Sequence, residues 1–421
     1  MSEYPFFVRR SWGMNLLNRT GSLAGALGIK PFALSAQKIL EQAQAESNFE
    51  FFDSSMRSGL ERLINDITVN GRPNTFGQLA IRNLLQRNAT ARFQIEKTLN
   101  ACPAIEREPI AQPLFIVGMP RSGTTVLHAL LNCDQAHRSP LSWECLLPYP
   151  VPDPVTYTDN PQLNQVRKQF DQLFSLVPDF KQKHYMEADS PQECLGLTAL
   201  HFTSFQYLAQ LYLPEYYRWL TYESDLENTM RWHKRFLQYL QSGGVKGERW
   251  LLKSPVHLLQ MKALFEIYPD ARVVVTHRHP KAVVPSAASL VSSVRSLYSD
   301  EEDPKRTGEE QMHAWSHYCD RFLRERKALN KESQIIDVQF AKFAADQIGV
   351  IKSIYSEFGW TLTAQTEQSM RELLEAEPQD KHGQHEYSLE QFGLSNSDIE
   401  QHFQPYLKFL SRLTAEQVDG K

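Results

Sequence analysis

Two groups of residues have types and spacings that point to chemistry. The first is Gly118-Met119-Pro120-Arg121-Ser122-Gly123-Thr124-Thr125. Glycines let a backbone turn tightly, so that successive N–H groups converge on an anion, and the arginine adds a cation. The spacing is that of a Walker A loop, but Thr124 stands where the lysine would be, and Arg121 supplies the charge three residues earlier. Thr125 keeps the hydroxyl that binds Mg²⁺ in nucleotide triphosphatases. The second group is His277-Arg278-His279-Pro280, with Ser286 eight residues after Arg278. An arginine leaving a strand can grip a phosphate in bidentate fashion, and a serine on the next helix can donate to the same group. Read singly, each group is also compatible with an ordinary loop joining a strand to a helix.

The elements needed to position these groups are legible around them. Leu114-Phe115-Ile116-Val117 is a short unbroken apolar run, as expected of a strand buried on both faces of a parallel sheet. A helical pattern begins at Thr124. Three more strands are predicted at 250–253, 272–277 and 334–338, with helices near 257–267, 281–298 and 346–358. This alternation predicts an α/β fold: a P-loop-like parallel sheet flanked by helices. Residues 1–110 read as a helical N-terminal segment and 111–421 as the α/β domain, with a helical insertion at about 150–245.

Composition narrows the function classes. The chain has 421 residues, 42% hydrophobic and 22% charged, with a net charge of −4. That excludes disordered and collagen-like classes and argues against nucleic-acid or non-specific membrane binding as the main activity. Five cysteines, odd in number and widely spaced, suit reduced thiols. No run approaches the ~20 apolar residues of a membrane span, and polar residues interrupt the N-terminal apolar stretch, so a cytoplasmic protein is expected. His313 and His317 have i, i+4 spacing but lack the intervening glutamate of a zinc-protease motif, and no metal is expected.

The Pro120–Thr125 hexad resembles the 5′-phosphosulfate loop of sulfotransferases that use 3′-phosphoadenosine 5′-phosphosulfate (PAPS). Arg278-x-Pro280 followed by Ser286 resembles the same family's 3′-phosphate motif. The bacterial-type branch is the nearer likeness, and the motifs run in order from about residue 110 to 395. The resemblance implies that Arg121, Ser122, Gly123, Thr124 and Thr125 bind the 5′ side, and Arg278 and Ser286 the 3′-phosphate. Lys381, His382 and Gly383 resemble a further 3′-phosphate segment, though better-known relatives have Arg-Lys-Gly there. The implied reaction moves a sulfuryl group from PAPS to a hydroxyl, or less readily an amine, of a small-molecule acceptor. It releases 3′-phosphoadenosine 5′-phosphate (PAP) and requires no metal. A kinase-like phosphotransferase and an inactive nucleotide-binding scaffold are the alternatives.

Within that resemblance Lys253 matches a lysine near the transferring group and, with Arg121, is expected to stabilise charge in the transition state. The histidine that serves as base in cytosolic relatives falls on Pro255 here. Glu144, in Ser142-Trp143-Glu144, and His257 are therefore the candidate bases, with Glu193 further out. An apolar neighbour such as Trp143 would raise a glutamate toward a useful pKa. Eight aromatic residues crowd 201–222, and they either cover the core or line an apolar acceptor pocket. The acidic run 299–304 reads as a surface loop or a lid.

Overall fold

Leu114–Gly118 forms strand β1, and every residue in it is buried. His137–Arg138 (β2), Arg249–Lys253 (β3), Arg272–His277 (β4) and Ile335–Gln339 (β5) complete one parallel sheet in the order β2-β3-β1-β4-β5. The computed structural model describes residues 6–27, 33–177, 187–245, 247–376 and 388–419. These fall into two compact units. One lies within Met1–Pro109, Pro140–Lys246 and Leu290–Glu302, the other within Ile110–Ser139, Gly247–Ser289 and Asp303–Lys421.

The sheet belongs to the second unit. Its central strands β1, β3 and β4 are buried nearly throughout, so both side-chain sets of each are removed from water, whereas the edge strand β5 is half-buried. On one face Leu114 and Ile116 align with Leu251 and Val274, and pack with Leu127, Leu130 and Leu131 from the helix Thr124–Leu131. On the other, Phe115 meets the rings of His257 and Tyr268. β2 is the strand the sequence does not announce: two residues paired with Arg249 and Trp250 are too few to show a period. The residues after β3 also differ from expectation. Pro255–Leu259 is a 3₁₀ turn, and the α-helix starts only at Met261.

The first unit is helical. Its longest helix, Thr75–Ala101, carries Arg92, whose guanidinium lies 3.5 Å from the centre of the Trp232 ring. Arg92 donates to Glu96 at 2.9 Å and to Asp53 at 3.0 Å, and Arg235 joins Glu96 to Glu106. A buried cation demands partners on every side, so this cluster ties the N-terminal helices to the helix Leu226–Ser242. Phe202, Phe205, Tyr207, Tyr216 and Trp219 are buried here. The hydroxyls of Tyr207 and Tyr216 donate to the carbonyls of Ala199 and Phe202, so much of the aromatic stretch is interior packing of this unit. The acidic run is tied down: Asp300 pairs with Arg10, Glu301 with Arg72, and Glu302 accepts from Ser292. Asp303 caps the helix Pro304–Leu329.

Candidate active site

The loop after β1 is shaped by backbone conformations that few residues tolerate. Gly118 has φ +150°, and a Cβ there would sit 2.3 Å from Thr276 Oγ1 and 2.6 Å from the Thr276 carbonyl. Glycine is needed because β1 and β4 pair register-for-register up to that residue. Gly123 has φ +89° and begins the helix Thr124–Leu131. Between them Arg121, exposed to solvent, is held at φ +63°, a left-handed conformation that costs a residue with a Cβ about 1–2 kcal/mol. Ser122 pins the loop from beneath. Its buried hydroxyl donates to the Met119 carbonyl at 2.5 Å and lies 2.6 Å from Thr276 Oγ1. The Ser122 side chain is thus engaged within the loop, which leaves its backbone N–H as the group suited to an anion.

The other cations of this unit arrive from the strands on either side of β1. Lys253, the last residue of β3, pairs in register with Ile116, and its Nζ donates to Thr125 Oγ1 at 3.4 Å. It is buried, and the charge it brings, after burial itself, pushes buried His128 well below the ordinary histidine range. His128 is therefore neutral at pH 7 and 3.1 Å from Ser139 Oγ. Arg278 follows β4 directly. Its Nη1 donates to the Arg121 carbonyl at 2.6 Å, and its guanidinium lies 4.1 Å from the centre of the Phe340 ring. Burial, and next the Arg121 charge, depress the Arg278 pKa. Two arginines are thus brought together against their mutual repulsion, an arrangement able to receive an oxyanion. Arg121, Lys253 and Arg278 lie at the carboxyl ends of β1, β3 and β4 respectively. The connection leaving β1 runs toward β2 on one side, and the connection leaving β3 runs to β4 on the other. Open α/β sheets bind ligands at such a reversal.

A sequence profile of the sulfotransferase family matches residues 113–364, which spans β1 through β5. The chain belongs to the sulfotransferase family. Over 253 residues it is 25% identical to the omega-hydroxy-beta-dihydromenaquinone-9 sulfotransferase Stf3 of Mycobacterium tuberculosis and to that of Mycobacterium bovis. That match covers 59% of this chain and 62% of either relative. Among solved structures it resembles sulfotransferase STF9 of Mycobacterium avium, with TM-score 0.82 and 28% identity over 89% of this chain and 96% of that one. Sulfotransferase STF1 of Mycobacterium tuberculosis is similar at TM-score 0.78 and 28% identity, covering 89% and 99%.

In this member of the family the remaining site candidates have distinct settings. His257 lies on the 3₁₀ turn rather than a helix, fully buried, with Nδ1 3.0 Å from Gln260 Oε1. Glu144 comes from the helical unit, on the short helix Ser142–Leu146. Its side chain is fully buried, and Oε2 accepts from the Leu141 N–H at 2.8 Å. Its neighbour Trp143 belongs to an apolar cluster with Leu163, Val166 and Ala188. Glu193, half-buried, precedes the helix Cys194–Ala199. Ser286 is half-buried in the helix Pro280–Tyr298 that follows Arg278. Lys381, His382 and Gly383 lie outside the described residues.

Two features were missed from sequence. Ser254, beside Lys253, has a buried hydroxyl with no hydrogen-bond partner among the described residues. An unpartnered buried hydroxyl costs about 1–3 kcal/mol, so its persistence next to the lysine fits a site completed by a ligand. The Lys253-Ser254-Pro255 run was the available signal. The second is the support of Arg278. His277 Nε2 lies 2.8 Å from Asp337 Oδ1, and Nδ1 lies 2.9 Å from the Tyr406 hydroxyl. Arg326 grips both oxygens of Asp337, at 2.7 and 2.8 Å. Residues spread over 130 positions leave no local pattern to read.

Proposed function

We propose that this sulfotransferase takes a sulfuryl group from PAPS and transfers it to a hydroxyl of a small apolar acceptor, releasing PAP. One observation carries the donor: the Arg278 guanidinium, leaving β4, donates to the main chain of Arg121 in the β1 loop. In this reading the loop N–H groups of Arg121, Ser122, Gly123, Thr124 and Thr125 hold the 5′ side. Arg278 and Ser286, with Lys381, His382 and Gly383, hold the 3′-phosphate. A ligand with an anionic group at each end of a nucleoside suits two such anchors better than a triphosphate does. The missing Walker lysine, with Thr124 in its place, also favours it over a kinase-like reaction.

For the chemistry, Lys253 and Arg121 neutralise charge as the sulfur leaves one oxygen for another. The acceptor hydroxyl gives its proton to a base, its oxygen bonds to sulfur, and the bond from sulfur to the PAP oxygen breaks. Glu144 is the preferred base and His257 the alternative. The acceptor class rests on the relatives named for a hydroxylated dihydromenaquinone, an alcohol on a long apolar chain. Calorimetry with PAP in the absence of Mg²⁺ tests the donor: saturable binding is expected, and equal affinity for ATP would overturn the reading. An acceptor screen scored by PAPS-dependent sulfation, with polyprenyl and phenolic alcohols, tests the rest.

A further inference from the structure

The helix Trp12–Ala26 is docked by one face and leaves an apolar ridge on the other. Met14 is buried with Val8, Val177 and Leu297, and buried Asn18 accepts from the Phe76 N–H at 2.9 Å. Trp12, Leu16, Leu23 and, at the cap, Leu27 are 80%, 45%, 69% and 79% exposed. Spaced four, seven and four residues apart, they fall within about 60° of one another around the axis. Arg19, also exposed, lies on the same ridge between Leu16 and Leu23.

Charge indicates what covers this ridge. The helix Trp12–Ala26 carries Arg19 and no aspartate or glutamate, and residues 4–40 likewise hold only basic charges, of which Arg10 is paired with Asp300, in a chain whose net charge is −4. A ridge of tryptophan and leucine with arginine set among them is the composition that lies in a bilayer interface. The rings and aliphatic groups enter the acyl boundary while the arginine reaches the headgroups. We infer that this helix docks the protein on an anionic lipid surface. The attachment is peripheral: among the described residues no helix is long and apolar enough to cross a membrane. The inference stands on the helix alone and is independent of the acceptor proposed above.

The test is co-sedimentation of the full chain with vesicles of phosphatidylcholine plus phosphatidylglycerol, and with phosphatidylcholine alone. The expected result is binding to the anionic vesicles that weakens with salt and is at least about tenfold weaker in the triple variant Trp12→Gln, Leu16→Gln, Leu23→Gln. These positions are exposed and glutamine keeps helix propensity, so the variant should melt and bind PAP as the parent does. Arg19→Glu should weaken anionic binding alone. Equal binding to neutral vesicles, no vesicle binding, or retention by the triple variant would overturn the inference. So would a dimer in analytical ultracentrifugation that the triple variant dissolves while vesicles are ignored. Failure to bind PAP would instead count against the donor reading.

Discussion

Arg278 Nη1 donates to the Arg121 carbonyl at 2.6 Å, across 157 positions of sequence. The bond engages the carbonyl of Arg121, whose φ of +63° is left-handed. It also holds a second guanidinium beside the first, so the pair is poised to be relieved by an anion.

Replacing Arg278 with alanine should therefore weaken PAP binding about a hundredfold by calorimetry, the loss expected for charged hydrogen bonds in a partly buried site. Lysine should restore only part, because it keeps the charge but not the planar fork that spans a carbonyl and a phosphate. Full affinity in the alanine variant would remove Arg278 from the donor site.

Lys253→Met should lower kcat about 10²–10³-fold while PAP affinity changes far less, as expected for a donor used chiefly in the transition state. Glu144→Gln and His257→Ala, compared at unchanged PAP affinity, separate the two bases. If neither slows turnover, neither is the base.

Gly118→Ala should destabilise the protein by about 3 kcal/mol, read from a urea titration. The new methyl would meet Thr276 Oγ1 and its carbonyl, both held by the pairing of β1 with β4. A stable, active Gly118→Ala protein would mean the loop can move off β4.

Asp337 gives a pH dependence. Burial raises a carboxyl pKa, but here hydrogen bonds from His277 and Arg326, and their charges, outweigh it and hold the group down to about 2 against an ordinary 3.8. A depressed acid stabilises the fold above its unfolded pKa, and that stability disappears as pH falls through the folded value. The contribution is about 2 kcal/mol, present above roughly pH 4 and lost between roughly pH 4 and 2. Urea titrations of the parent and Asp337→Asn across this range should converge at the acid end. A constant difference would assign the effect to packing.

How much was legible follows from how local each signal is. The loop Gly118–Thr125 was readable because an anion-binding turn needs particular residues at adjacent positions, whatever surrounds it. β1, β3 and β4 were readable because strands covered on both faces become short apolar runs, as Leu114–Val117 and Val273–Val275 are. β2 was not readable, since His137 and Arg138 are a strand only by pairing with Arg249 and Trp250. The bonds of Asp300, Glu301 and Glu302 were equally invisible, because their partners lie at Arg10, Arg72 and Ser292.

The sequence by itself determined the family resemblance and the parallel α/β core that the fold bears out. The tertiary structure decided the strand order and with it which side chains meet the β1 loop: Lys253 at Thr125 and Arg278 at Arg121. It also decided that the N-terminal helices, residues 140–246 and 290–302 form one helical unit. The physical reason is that turn geometry and burial pattern act within a few residues. Parallel pairing and ion-pair closure act between residues hundreds of positions apart, where composition carries no record of the partner.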